Sequence, residues 1–416
     1  MTSKTDIWVY AHWLGMTDPE LIGVLTVQQT KTRKSFSFSY ERSWLRSSAQ
    51  MLLDPEIQWY IGPQHPGEKQ NFGAFLDSMP DTWGRTLMKR RAAADAKVSG
   101  TPARTLYDID FLLGVFDESR MGGLRFKLHP AGPFLDDNQD YSIPVWSDLR
   151  VLQHGAVLIE SDDETQVNEG LALLLAPGSS LGGARPKANV LDNNRHPWIA
   201  KFPSRNDNKD QAAWEFLAYR LATKAGIQIA ESKMLSLSGP HHTFLTKRFD
   251  REDGARIHFA SAMTMTGNSE DTIRDQQASY LDLALFLQNH SANIKDDLHQ
   301  LWRRIIFNLM ISNTDDHLRN HGFLLNSSGW RLAPAYDINP SIEKDHLALN
   351  IDSENNALDL DLARSVGEYF HLNQVEQEVI IKEVKSACIK WREVADELSI
   401  SRADQEMMAA AFRLID

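Results

Sequence analysis

The chain has 416 residues, 42% of them hydrophobic and 24% charged, which excludes a disordered protein and leaves room for two or three domains. Its 44 Lys and Arg against 56 Asp and Glu give a net charge of −12, a field that repels phosphate and argues against non-specific nucleic-acid binding. The single cysteine, Cys388, excludes a disulfide framework and cysteine-based metal sites, while the lack of a leader-like start at Met1–Ile7 or of an apolar run near ~18 residues points to a soluble cytoplasmic protein.

The first 60 residues read as strands. Ile7–Tyr10 and Leu21–Val27 are β-rich, and Ser35–Tyr40 alternates serine with aromatics, which predicts one buried face. Ile57–Ile61 predicts another strand, stopped by Gly62-Pro63. A helical pattern follows over 71–98, where Asp81 can cap a helix carrying Arg85, Lys89, Arg90 and Arg91. That basic run reads as a solvated face, or alternatively as a face for a partner or DNA. Asp108–Val115 predicts a short helix and Met121–Leu128 a strand. A boundary falls near His129-Pro130, where Pro, Gly, Asp and Asn gather through residue 144. The middle section is mixed: Leu171–Ala176 leads into a glycine- and serine-rich loop, then come a strand at Trp198–Phe202, a helix at Gln211–Ala225 and a strand at Thr243–Phe249. From about residue 270 the pattern is mostly helical, clearest at Leu298, Leu301, Trp302, Ile305, Ile306, Leu309 and Met310. The last 40 residues read as two helices, the final one started by Ser401 and Asp404. The gradient from β-rich to all-helical predicts an α+β fold with segregated helices.

Four segments suggest chemistry when taken together. In Gly178-Ser179-Ser180-Leu181-Gly182-Gly183-Ala184-Arg185-Pro186-Lys187, adjacent glycines let backbone N–H groups approach an anion, and Lys187 adds a charge. The spacing is not that of a Walker A loop, and an ordinary surface loop is the other reading. Lys201, inside the next strand, stands where a nucleotide-binding lobe holds phosphates, and Glu215 on the following helix can steady it. Taken singly, these are a strand-edge lysine and a solvated helix charge. In Asn313–His321, Asp315 and Asn320 have the spacing of a phosphotransferase catalytic loop, the aspartate as base and the asparagine on a metal. His317 and His321 with Asp315 or Asp316 offer a zinc alternative, although zinc hydrolases place a glutamate beside the first histidine and none is here. Finally, Gly322–Asn326 and Gly329–Leu332 read as a hairpin, and Asp337 lies just past it, where kinases place a Mg²⁺-binding aspartate. Each element is weak alone. Their order is that of a kinase.

On these residues, together with Ala200-Lys201-Phe202-Pro203, Lys247-Arg248-Phe249-Asp250-Arg251, Tyr336-Asp337, Pro80–Arg85 and Gly122–Phe126, the chain resembles the HipA family, the serine/threonine kinase toxins of bacterial type II toxin–antitoxin modules. The resemblance covers nearly the whole chain. It implies a protein-kinase-like, two-lobed α+β fold: a β-rich amino-terminal subdomain (1–129), a kinase-like N-lobe with the phosphate loop (130–256) and an all-helical C-lobe with the catalytic and metal-binding loops (257–416). It implies ATP and Mg²⁺ as cofactors, Asp315 as the catalytic base, and Asn320 and Asp337 as metal ligands. Ser180, Leu181, Gly182, Gly183, Ala184, Lys187, Lys201, Lys247, Phe249, Asp250 and His317 would contact ATP. Among these, Lys247-Arg248-Phe249 would be the hinge against adenine and Asp250 would sit near the ribose, while Glu215 supports Lys201. Ser180, or its neighbour Ser179, matches the family's autophosphorylated serine. The implied partners are a small helix-turn-helix antitoxin (HipB-like), operator DNA through that complex, and a protein substrate expected to be translation-related, aminoacyl-tRNA synthetases being the targets of some family members.

The chain has no His-Arg-Asp ahead of Asn320 and carries Tyr-Asp-Ile in place of Asp-Phe-Gly, departures that fit the family and also resemble lipid kinases. Other readings are a catalytically idle co-repressor, transfer of AMP rather than phosphate, and a non-protein substrate.

Overall fold

The structure, a computed structural model, describes residues 3–29, 34–47, 50–174, 183–269 and 277–415. It contains two compact units, Met1–Ile199 with Asp250–Ser269, and Ala200–Phe249 with Glu270–Asp416. No helix among the described residues is long and apolar enough to cross a membrane.

The first unit opens on the antiparallel strands β1 (Ser3–Ala11), β2 (Glu20–Gln29) and β3 (Lys34–Tyr40), with β4 (Leu124–Lys127) on the other side of β1, in the order β3-β2-β1-β4. The alternation in β3 buries Phe36, Phe38 and Tyr40, as a side-chain period of two requires. Phe75 packs against Phe38, Phe72 and Phe126 to form an aromatic core beneath the sheet. Ile57–Ile61 is not a strand, contrary to the sequence pattern. Its backbone groups find side chains instead of a ladder: the Gln64 amide accepts from Gln58 N at 2.6 Å and donates to Gln58 O at 2.8 Å. Just upstream, buried Asp54 accepts from Glu56 N and Ala74 N, both at 2.9 Å.

Helices α1 (Arg42–Ser47), α2 (Gly73–Leu76), α3 (Thr82–Ser99) and α4 (Asp108–Leu113) follow. Asp81 caps α3 as expected, accepting from Gly84 N at 2.8 Å. The mixed pattern after residue 145 resolves into α5 (Leu149–Ile159) and α6 (Glu164–Leu173), two helices the sequence reading did not separate. They touch through Gly155 and Gly170. A Cβ on Gly170 would lie 2.7 Å from the Gly155 carbonyl oxygen, so the contact requires glycines, the residues that most weaken a helical signal.

The basic run on α3 is only partly a solvated face: Lys89 and Arg90 are exposed, yet two of its arginines find backbone partners. Arg90 donates to the Ile159 carbonyl, and Arg91 to those of Leu171 and Leu174 at 3.0 and 3.1 Å, so these cations complete the carbonyl ends of α5 and α6. Arg85 lies over the Phe111 ring. Past α6, β5 (Lys187–Leu191) and β6 (Pro197–Lys201) flank a turn held by Asp192, which accepts from Asn194 N, His196 N and Trp198 Nε1.

The second unit contains α7 (Gln211–Lys224), the hairpin β7 (Ser232–Leu235) and β8 (Thr243–Lys247), α8 (Tyr280–His290), and α9 (Ile294–Met310). The apolar stripe of α9 from Leu298 to Met310 is fully buried, each side chain contributing about 1.5–3 kcal/mol. The expected hairpin forms as β9 (Gly322–Asn326) and β10 (Gly329–Leu332). It is pinned to α9 by buried Asp297, which pairs with Arg331 and accepts from Leu332 N, both at 3.0 Å. Buried Arg304 of α9 donates to the Ala333 carbonyl at 2.6 Å, and burial pulls its guanidinium down to about 10. After α10 (Leu360–Ser365) the chain ends in α11 (Gln374–Cys388), α12 (Trp391–Glu397) and α13 (Arg402–Met408). The final stretch therefore holds three helices rather than two, because the chain breaks at Ile389-Lys390 between α11 and α12, while Ser401 caps α13 as read.

Asp81 also pairs with Lys187 at 2.9 Å, both side chains being buried within the first unit. Asp81→Ala removes the α3 cap and a buried carboxylate partner together. It is expected to lower the unfolding free energy by about 3 kcal/mol in urea denaturation. A double-mutant cycle with Lys187→Met should return a coupling of about 1 kcal/mol or more, and strict additivity would remove the pair as a structural contact.

Candidate active site

Lys201 ends β6, and its ammonium is shared between two carboxylates. Nζ lies 2.5 Å from Glu215 Oε1 and 2.6 Å from Asp337 Oδ1. Burial alone would lower the Lys201 pKa, but the charges of Asp337 and then Glu215 outweigh it and hold the ammonium above its ordinary range. Glu215 is presented by α7, whose N-terminus is capped by Asp210 accepting from Ala213 N at 3.1 Å. Asp337 has φ +57°, a left-handed conformation that costs a non-glycine residue on the order of 1 kcal/mol. The chain on its amino-terminal side is held by Ala335, whose N–H donates to Gln228 O at 2.8 Å.

The segment after α9 separates two neighbouring aspartates. Asp315 is exposed, and its carboxylate accepts no hydrogen bond from a described residue. Asp316 is buried and accepts from the Tyr280 hydroxyl, from Asn308 Nδ2 at 2.8 Å, and from His321 Nε2 at 2.8 Å. Burial would raise the Asp316 carboxyl. The neighbouring His321, by charge and hydrogen bond, and the Tyr280 hydroxyl outweigh it and hold the carboxyl below its usual range. Asn308 in turn accepts from Asn313 Nδ2 at 3.0 Å, which ties the loop back to α9.

This loop is laced to the one carrying Asp337. Tyr336 Oη donates to Arg319 O at 2.7 Å, Asn339 N to Asn313 Oδ1 at 3.2 Å, and Ser341 N to Ser312 O at 3.1 Å. Asn320 donates through Nδ2 to Asp315 O at 3.2 Å, while its Oδ1 is buried with no hydrogen-bond partner among the described residues. A buried amide oxygen without a donor costs about 1–3 kcal/mol, and a cation would relieve it. Asn320 and Asp337 supply only oxygen donors, the chemistry of Mg²⁺, which keeps waters and substrate phosphates as its remaining ligands. Among the described residues there is no group of three or more His, Cys, Asp and Glu placed to hold a metal. The zinc alternative also loses His321 Nε2 to Asp316. His317 is half-buried, with Nδ1 making no hydrogen bond to a described residue.

Elsewhere in the second unit, Phe249 packs on Tyr336 with ring centroids 5.5 Å apart, and Lys247 lies 3.9 Å from Glu231. In the first unit, buried Asp250 accepts from Gly122 N at 2.8 Å and pairs with Arg251. Lys187 donates to Asp81 and, at 3.3 Å, to Gly183 O, and Ala184 follows Gly183 on the surface. Ser179, Ser180, Leu181 and Gly182 lie outside the described residues. Sequence reasoning missed the buried role of Asp316 and its partners Tyr280 and Asn308. The doubled aspartate directly after an apolar helix was the available signal.

The Asp316 carboxyl titrates lower folded than unfolded. Its contribution to stability is therefore complete above the unfolded value near ~4 and is lost as pH falls toward the folded one. Asp316→Asn is expected to cost about 2 kcal/mol at pH 7 in urea unfolding, with a smaller deficit at pH 3. An equal deficit at both pH values would contradict an ionised Asp316.

Known proteins share this arrangement of sequence and fold. The family model described as the HipA-like C-terminal domain matches residues 179–392, just over half of the chain. A Haemophilus influenzae protein named "Putative kinase" is 27% identical over 179 residues, 38% of this chain and 52% of that protein. "Putative kinase Y4mE" of Sinorhizobium fredii is 30% identical over 149 residues, 34% of each chain. The chain thus aligns with about half the length of the first of these curated relatives and a third of the second. Among solved structures, HipA of Shewanella oneidensis MR-1, from its complex with HipB and operator DNA, superposes with a TM-score of 0.63 at 17% identity, covering 98% of this chain and 95% of that one. The overall fold is therefore the α+β, kinase-like fold of HipA, and the chain belongs to the HipA family.

Proposed function

We propose that this chain is an ATP-dependent serine/threonine protein kinase acting as the toxin of a type II toxin–antitoxin module. The observation that carries the reading is the pairing of Lys201 with both Glu215 and Asp337, on a loop hydrogen-bonded to the one that carries exposed Asp315 and the unsatisfied Asn320 oxygen. A phosphoryl transfer needs little covalent help from the protein. It needs cations on the phosphates, a positioned hydroxyl and a base.

In this reading, Lys201 contacts the α- and β-phosphates, and Glu215 keeps its ammonium charged and aimed. Asp315 accepts the proton of the attacking serine or threonine hydroxyl. The hydroxyl oxygen bonds to the γ-phosphorus as the bond to the β-phosphate oxygen breaks, and ADP leaves with that electron pair. Asn320 and Asp337 would hold Mg²⁺, whose charge offsets the negative charge on the phosphates. Asp316 has no place in the transfer itself; it fixes the loop so that its neighbour stays exposed. Lys247 and Phe249 are proposed for the adenine side, Asp250 for the ribose, and the glycine-rich segment with Lys187 for the phosphates. His317, with an unbonded ring nitrogen, is proposed as a further nucleotide contact. Ser180 or Ser179 is the proposed autophosphorylation site. The similarity to a HipA solved with HipB and operator DNA supports a small helix-turn-helix antitoxin as partner, with DNA reached through that complex. The proposed substrate is a cytoplasmic protein of translation, of the aminoacyl-tRNA synthetase class.

Intact mass after incubation with Mg·ATP tests this reading directly. The wild type is expected to gain phosphate that maps to Ser179 or Ser180, and Asp315→Asn to slow the gain by about 100-fold or more while unfolding at an unchanged urea midpoint. A fully active Asp315→Asn would remove Asp315 as the base. Added AMP in place of phosphate would replace kinase by AMP transferase, and failure to bind Mg·ATP in a titration would leave an idle fold.

A further inference from the structure

A second site lies wholly within the first unit. A cavity of about 720 Å³ opens between the start of β3, the loop at residues 65–70, α3 and the start of α4. That volume is in the ~300–1,000 Å³ range of small-molecule sites. None of the residues placed in the candidate active site lines it.

Its wall brings together three cations, Lys34, Lys69 and Arg85. Lys34 Nζ sits 3.5 Å above the Tyr107 ring, and the Arg85 guanidinium 4.7 Å from the Phe111 centroid. Aromatic faces orient these cations without neutralising them. Arg85 donates through Nε to the Pro80 carbonyl at 3.1 Å and reaches the Asp108 carboxylate and Met79 Sδ at 3.5 Å, which leaves part of its five-donor fork open. The Lys69 side chain is 7% exposed, yet its ammonium makes no hydrogen bond to a described residue, and its ion pair with Glu56 is 3.6 Å long. Glu56 is itself turned toward the loop, its other oxygen accepting from Gly67 N at 3.0 Å. An ammonium buried in this state is under-satisfied, and an anion entering the cavity would supply the missing acceptors. Carboxylates of Glu68 and Asp108 line the same cavity. They disfavour a bare polyanion and suit a ligand that also carries hydroxyl donors.

We propose that this cavity binds a small phosphorylated metabolite bearing hydroxyl groups, with the phosphate on Lys34, Lys69 and Arg85 and the hydroxyls on Glu68 and Asp108. Two sources share that chemistry, a sugar phosphate and a nucleotide.

The test is isothermal titration of the full chain, without Mg²⁺, using ribose 5-phosphate and AMP as separate probes. Saturable binding of at least one probe is expected, weakened about tenfold or more by Lys34→Gln and by Lys69→Met and retained in Lys201→Met. Ribose 5-phosphate binding alone would assign a sugar phosphate; tighter AMP binding would assign a nucleotide. Lys34 stands at the strand end over an aromatic ring, so Lys34→Gln keeps the test valid if Lys69→Met fails to fold. No saturable binding of either probe, binding unchanged in Lys34→Gln, or binding lost in Lys201→Met would each overturn the proposal.

Discussion

The candidate site is organised by one ammonium. Lys201 is the point at which a strand end, a helix and a loop from distant parts of the sequence share a charge. With two carboxylates sharing one ammonium, losing the Lys201 charge would leave both carboxylates uncompensated in a largely desolvated place. The same constraint accounts for Asp337 holding a left-handed backbone. The strain of order 1 kcal/mol is offset by its charge-assisted contact with Lys201 and by the bonds that fix the chain on either side of it.

The second constraint is the division of labour between adjacent aspartates. Asp316 faces inward to Tyr280, Asn308 and His321, and Asp315 therefore faces outward with its carboxylate unused. An exposed carboxylate on a floppy loop would be poorly aimed. Here the loop is bonded to α9 through Asn313 and Asn308, and to the Asp337 segment through Tyr336, Asn339 and Ser341. Within this lacing the buried Asn320 oxygen has no hydrogen-bond partner among the described residues, nor do Ser312 Oγ or the Nδ1 atoms of His317 and His321 have one.

The first unit uses charge differently. Arg90 and Arg91, which read as solvated, are spent on helix carbonyls, and Lys187 is bound to Asp81. At the 720 Å³ cavity, Lys34 and Arg85 are set over rings, and Arg85 spends only part of its donor fork, on Pro80 O, Asp108 and Met79. A basic sequence position thus says little about availability until its partners are known.

Local chemistry made much of the protein readable in one dimension. Alternation in β3, the cap at Asp81, the stripe of α9 and the hairpin before Asp337 all follow from side-chain period or a short polar motif, and each formed as read. The order of Lys201, Glu215, Asp315, Asn320 and Asp337 likewise pointed to one chemistry before any of them was placed. What could not be read was set by contacts that no period in the chain announces. Ile57–Ile61 lost its strand because Gln64 satisfies that backbone, and α5 and α6 escaped notice because their contact needs glycines. Which of two aspartates is buried was decided by Tyr280, 36 residues away. Hydrophobic period is a property of neighbours in the chain, whereas burial, charge pairing and the emptiness of a donor or acceptor depend on what the folded chain brings alongside, and only the tertiary structure supplies that.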